Sequence, residues 1–135
     1  MHIQTKYQGN FRFASGDGDG AVTIDGAKEM GGLGIAPTPK SLLLYGLAGC
    51  TGLDIVTILQ KKKVEYDSFE IDIKAEQTNT HPKIFKTIEI IFKFAGKEED
   101  RQTIEKAIKL SEKQFCGVTA MLSKSARITW TLEIL

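Results

Sequence analysis

The side chains in this sequence with the greatest capacity for covalent chemistry are its two cysteines, Cys50 and Cys116. Without a secretory signal they are expected as reduced thiols, and any disulfide between them as transient and catalytic rather than structural. The chain separation of Cys50 and Cys116 says nothing of their distance in the fold. Cys50 closes the apolar run that begins at Leu42, where burial without a cationic neighbour raises a thiol pKa and leaves an inert packing residue. Asp54 follows one helical turn later on the same face, where its carboxylate disfavours a thiolate or contacts a group from another element. Cys116 stands at a break, Gln114-Phe115-Cys116-Gly117-Val118-Thr119. A short helix running from there through Leu122 would lower its pKa, so local features predict Cys116 as the more acidic thiol.

Other motifs with chemical potential reduce to structure. Asp17-Gly18-Asp19-Gly20 resembles the start of a calcium loop, but Lys28 stands where the loop's last ligand, a glutamate, belongs, and a hairpin turn is the expectation. His2 and His81 lack zinc-ligand spacing with the two cysteines, so no metal and no organic cofactor is expected. Gly31-Gly32-Leu33-Gly34 is no phosphate cradle, because Pro37 and Pro39 intervene before the helix and no lysine-serine pair is in register; close backbone packing accounts for it. Lys61-Lys62-Lys63 reads as a solvated helix end. Phe85, Phe92, Phe94 and Trp130 read as strand core, with an apolar ligand crevice near Cys50 as the alternative.

The elements that must position these residues follow from patterning. Short β-rich runs at Ile3 to Tyr7, Asn10 to Ala14 and Ala21 to Ile24 predict small hairpins. Thr38 and Pro39 open a helix that runs to about Lys61, apolar nearly all round from Leu42 to Cys50 and amphipathic after Asp54. Ser68 to Gln77 and Lys83 to Phe94 alternate as strands about the turn Thr78 to Pro82, with Phe69, Ile71, Ile73 and Ala75 on one face. Glu98 to Gln114 has helical spacing with Ile104, Ala107, Ile108 and Leu110 inward. The last run, Ala126 to Ile134, alternates Ile128, Trp130, Leu132 and Ile134. Strands grouped around helices predict an antiparallel α+β fold over a single domain, residues 1–135, whose central helix needs a partner chain to cover it fully.

Lysine plus arginine total 18 against 17 acids, a net charge of +1, which gives no field to draw nucleic acid or an anionic membrane. The apolar stretch from Leu42 to Ala48 is short of a bilayer span, and Met1-His2-Ile3-Gln4 lacks a signal peptide's features, so a cytoplasmic location with reduced thiols is expected.

Gly31-Gly32, Pro37-Thr38-Pro39-Lys40-Ser41-Leu42-Leu43-Leu44 and Leu47-Ala48-Gly49-Cys50-Thr51-Gly52-Leu53-Asp54 together resemble the core signature of the OsmC and organic hydroperoxide resistance family. His81-Pro82-Lys83, Gly96, and Ala107 to Leu110 leading into Phe115-Cys116-Gly117-Val118 are similar to the rest of that pattern. The resemblance implies an intertwined homodimer, with antiparallel sheets wrapped around long buried helices and two sites at the interface. It implies a thiol-dependent reduction of organic hydroperoxides in which Cys50 attacks the peroxide, Cys116 resolves the sulfenic acid, and an external thiol reductant resets the pair. The family's activating arginine and glutamate are not evident: Arg12 lies in the preceding strand and Lys40 stands at the glutamate's position. A charge-swapped contact of Asp17 or Asp19 with Lys40 would order the loop without activating Cys50. The alternative is a non-catalytic member that binds a small apolar or electrophilic ligand.

Overall fold

The computed structural model describes residues 1–15 and 21–135 and divides into two compact units, Met1–Tyr45 and Gly46–Leu135. Asp17 and Asp19, and with them the calcium-loop comparison and the contact expected with Lys40, lie outside the described residues.

The first unit is a three-stranded antiparallel meander of β1 (Thr5–Gly9), β2 (Arg12–Ser15) and β3 (Thr23–Asp25). Asn10 and Phe11 turn between β1 and β2 with φ of 53° and 64°. Positive φ at both central residues matches the twist of a two-residue hairpin, though a ring as large as that of Phe11 rarely adopts it. The ring lies against Gly31, where a Cβ would come within 2.8 Å of it. Asp25, only 1% exposed, holds the glycine-rich segment: its Oδ2 accepts from the Leu33 and Ile35 amides at 3.2 and 3.1 Å, and its own amide donates to the Pro37 carbonyl at 2.9 Å. A Cβ on Gly32 would sit 1.8 Å from the Gly26 carbonyl oxygen, so this segment is the close backbone packing the sequence predicts.

Helix α1 (Pro39–Lys61) begins in the first unit and gives the second its residues from Gly46 onward. Its first turn includes the bond from the Leu42 amide to the Thr38 carbonyl, and it ends at the lysine run as expected. By length and composition α1 could cross a membrane, which its short apolar core does not convey. Its residues Leu47, Thr51, Ile55 and Leu59 are nevertheless buried within the protein, at the i, i+4 spacing of a core-facing stripe.

The second unit pairs α1 with a sheet of order β4-β5-β6, formed by β4 (Tyr66–Gln77), β5 (Phe85–Gly96) and β6 (Arg127–Ile134). Strands β4 and β5 are antiparallel, whereas β6 runs parallel to β5. The expectation of antiparallel sheets throughout is therefore corrected: the helical crossover after β5 returns the chain to the end where β5 started, as a parallel pair requires. The predicted alternation holds in register, with Ile71 and Leu132 flanking Phe92, and Phe69 and Ile134 flanking Phe94. Phe69 stacks on Phe94 with ring centroids 4.2 Å apart, and Trp130 meets Phe92 edge-on. Gly52 brings α1 onto this face, since a Cβ there would stand 3.1 Å from Ile71 Cδ1.

The crossover consists of a 3-10 turn, α2 (Arg101–Leu110), a π-helical turn Ser111–Phe115, and α3 (Gly117–Leu122). Ile104, Ala107 and Ile108 are buried as expected, but Leu110 is exposed. The inward stripe continues at i+7 to the buried Ser111, and Leu110 lies off that line.

Candidate thiol site

Three elements of the second unit converge on one cluster. The buried stripe of α1 and its open side meet along Cys50 and Asp54, both half-buried and one turn apart. The π-helical turn widens the helix so that the Cys116 amide donates to the Ser111 carbonyl at 2.8 Å, one residue beyond the α-helical partner. Cys116 thereby leaves the helix with extended dihedrals and becomes the N-cap of α3, where its Sγ accepts from the Thr119 amide at 3.3 Å. The two Sγ atoms and a carboxylate oxygen of Asp54 all lie within 4.8 Å of one another. The structure thus brings together Cys50 and Cys116, which sequence separation could not.

The group that meets Asp54 from elsewhere is Ser111, whose Oγ donates to Asp54 Oδ2 at 2.9 Å. Sequence reasoning left this partner unnamed; the signal was Ser111 at the i+7 position of an otherwise apolar stripe from Ile104. Thr51, Ile90, Phe92, Ile108, Glu112, Thr119, Ile128 and Trp130 line a small cavity that shares Thr119 with this cluster. Phe92 is buried core and Trp130 packs on it, so the aromatic residues build the wall of the unit, as predicted.

The electrostatics overturn one expectation. Cys116 is 3% exposed, and burial pushes its thiol pKa up, reinforced by the hydrogen bond and charge of Cys50 and partly offset by the Thr119 amide and hydroxyl. Six residues of helix give a weak dipole, and desolvation outweighs it, so Cys116 is not acidified. In Cys50→Ala, the Cys116 thiolate should still form above the ordinary thiol value of about 8.5, because burial is the first cause of the shift. A raised pKa keeps the thiol neutral through pH 7. The check is the ultraviolet thiolate absorbance against pH, and a midpoint at or below the ordinary value would contradict this account.

Comparisons with known proteins agree with this architecture. The chain is 30% identical over 99 residues to the protein YhfA of Escherichia coli strain K12, covering 73% of this chain and 74% of that one. A hypothetical protein from Aquifex aeolicus VF5 has a solved structure that superposes with a TM-score of 0.79 at 30% identity, over 99% of this chain and 96% of that one. The structure of an organic hydroperoxide resistance protein OsmC from Legionella pneumophila matches with a TM-score of 0.73, over 98% of this chain and 96% of that one; at 16% identity it shares the fold. The family model described as OsmC-like protein matches residues 31–131, a span that contains both cysteines, Asp54 and Ser111, and the chain belongs to the OsmC-like protein family.

Proposed function

We propose that this protein reduces organic hydroperoxides through Cys50 and Cys116, with an external thiol as reductant. The observation that carries the reading is the convergence of the two sulfurs within 4.8 Å, close enough for a change of side-chain rotamer to bring them to bonding distance. The Cys50 sulfur attacks one peroxide oxygen as its proton passes to Asp54, the O–O bond breaks, and the departing alkoxide takes that proton from Asp54 to leave as alcohol. Cys50 is then a sulfenic acid. Cys116 attacks its sulfur and displaces hydroxide, which leaves as water with the Cys116 proton. A dithiol, or two thiols, reduces the resulting disulfide and returns both protons.

In this scheme Asp54, whose carboxylate lies within 4.8 Å of the Cys50 sulfur, stands in for the family's arginine and glutamate. A carboxylate opposes a standing thiolate, so Asp54 assists only by accepting the thiol proton as the S–O bond forms. Oxygen transfer should accordingly be slower than at a site that holds a preformed thiolate beside a cation.

Two copies forming the active unit is part of the same proposal. Helix α1 carries Tyr45 at 65% and Leu53 at 72% exposure, with Val56 also exposed, along one side. Among the described residues, and apart from the backbone of α1 itself, nothing stands within 4 Å of where a Cβ would lie on Gly46 or Gly49 on that side, which leaves room for a close-packed helix. An apolar stripe of this kind favours cover by a second copy rather than water.

The test is anaerobic stopped-flow thiol consumption by the reduced protein with cumene hydroperoxide and with hydrogen peroxide. Two thiols should disappear per peroxide, at least about 100-fold faster than with free cysteine, with an intramolecular disulfide as product. A rate no greater than that of free cysteine would leave the ligand-binding reading in its place.

A further inference from the structure

The trio that supplies the redox pair also has the composition of a soft-metal centre. We propose that, in the reduced protein, Cys50, Cys116 and Asp54 bind one thiophilic divalent cation of the zinc type, with a fourth position open to water or an external thiol.

Two thiolates and one carboxylate suit a d¹⁰ cation such as Zn²⁺, which takes sulfur at about 2.3 Å and carboxylate oxygen at about 2.0–2.2 Å in tetrahedral geometry. Around such an ion, donor atoms stand roughly 3.5–3.8 Å apart. The three donors of this site already lie within 4.8 Å of one another, so closure shortens their separations by no more than about 1.3 Å. Cys50 and Asp54 share one helix face, while Cys116 approaches from the N-cap of a short helix.

Two further contacts are of the kind that orients ligands. Ser111 Oγ donates to Asp54 Oδ2 at 2.9 Å, and the Thr119 amide donates to Cys116 Sγ at 3.3 Å. The first fixes a ligating carboxylate from outside the coordination sphere, and the second stabilises negative charge on a buried sulfur. Of the three donors, Cys116 is buried and Cys50 and Asp54 are half-buried, so the open position faces the accessible side. Binding converts two thiols to metal thiolates and releases their protons to solvent; no electrons move. The two functions exclude each other in time, because a bound cation occupies the sulfur electron pairs that attack peroxide, and the disulfide form has no thiolate to offer.

The experiment is titration of the full-length, fully reduced protein under anaerobic conditions, without peroxide. Co²⁺ is followed by its sulfur-to-metal charge-transfer and visible bands, and Zn²⁺ by competition against a chromophoric chelator. One ion per chain with a Kd below about 10 μM is expected. Cys50→Ala and Cys116→Ala should each weaken binding more than about 100-fold, and Ser111→Ala by roughly 10-fold, the size of a lost ligand-orienting contact. Wild type oxidised to its disulfide supplies a control that does not depend on a variant folding, and it should not bind. A Kd weaker than about 10 μM, no charge-transfer band, or equal binding by the oxidised protein would overturn the proposal. Because no peroxide is present, failure of the peroxidase reading leaves this result untouched, and failure here leaves peroxide reduction untouched.

Discussion

Replacing Cys50 with serine should lower peroxide-driven thiol oxidation by at least about 1,000-fold, whereas Cys116→Ser should leave the first oxygen transfer nearly intact and stop the reaction at a sulfenic acid. The asymmetry follows from the environments of the two sulfurs. Cys50 is half-buried on the side of α1 that borders its exposed apolar stripe, so a peroxide can approach it. Cys116 is 3% exposed, and burial raises its pKa, which suits it poorly for a first attack from solvent. The second step needs neither access nor a standing thiolate. Cys116 meets an electrophilic sulfur already beside it, at an effective concentration no free thiol reaches. Without Cys116 the sulfenic acid persists, reacts with a nucleophilic trapping reagent, and with excess peroxide advances to sulfinic acid. Mass spectrometry of the two variants after one equivalent of cumene hydroperoxide distinguishes these outcomes. A gain of one oxygen on Cys116 in the Cys50→Ser protein, at the wild-type rate, would reverse the assignment.

What the sequence made legible was local. Pro39 and the lysines at 61–63 mark both ends of α1, and alternation around Phe69 to Ala75 and Ile128 to Ile134 marks the inward faces of β4 and β6. These signals are periodic and involve neighbours within a few residues. The direction of β6 is not of that kind, because it depends on how far the crossover carries the chain, and residue patterns are the same for either direction. Leu110 and Ser111 show a subtler limit. Both lie near the apolar stripe of α2, and the choice between them is made where the helix widens into its π turn, which also turns Cys116 toward Cys50.

The candidate site divides in the same way. Cys50 and Asp54 are a helical pair that spacing alone puts on one face, and the resemblance to OsmC-like proteins nominates Cys116 as the second thiol. The acidity expected for Cys116 failed because a helix terminus is visible in sequence whereas the depth at which it is buried is not. Desolvation, the larger effect, is a property of the packed tertiary structure, in which Cys116 is only 3% exposed. Ser111, the partner of Asp54, was hidden for the same reason: two elements had to be docked before their polar groups could be matched.

The strongest physical test of the proposed dimer is Leu53→Asp. Leu53 is 72% exposed in the single chain, so the substitution should leave the fold of that chain within about 0.5 kcal/mol of wild type. If a second copy covers this side of α1, the substitution forfeits about 2 kcal/mol of leucine burial and leaves a carboxylate to be desolvated without a partner, at several kcal/mol more. In a two-fold interface both copies bear the change. A net loss of even 5 kcal/mol weakens association by roughly 1,000-fold to 10,000-fold, which moves a dimer of nanomolar affinity into the micromolar range. Analytical ultracentrifugation across that range should therefore show wild type as dimer and Leu53→Asp as monomer, with an unchanged helical circular dichroism spectrum. Should the variant sediment as wild type does, the exposed side of α1 is not the interface. Peroxide kinetics on the same variant then bear on the thiol site: monomer with slowed oxidation would mean that cover of α1 shapes the approach to Cys50, while monomer with wild-type kinetics would mean that one chain carries the whole site.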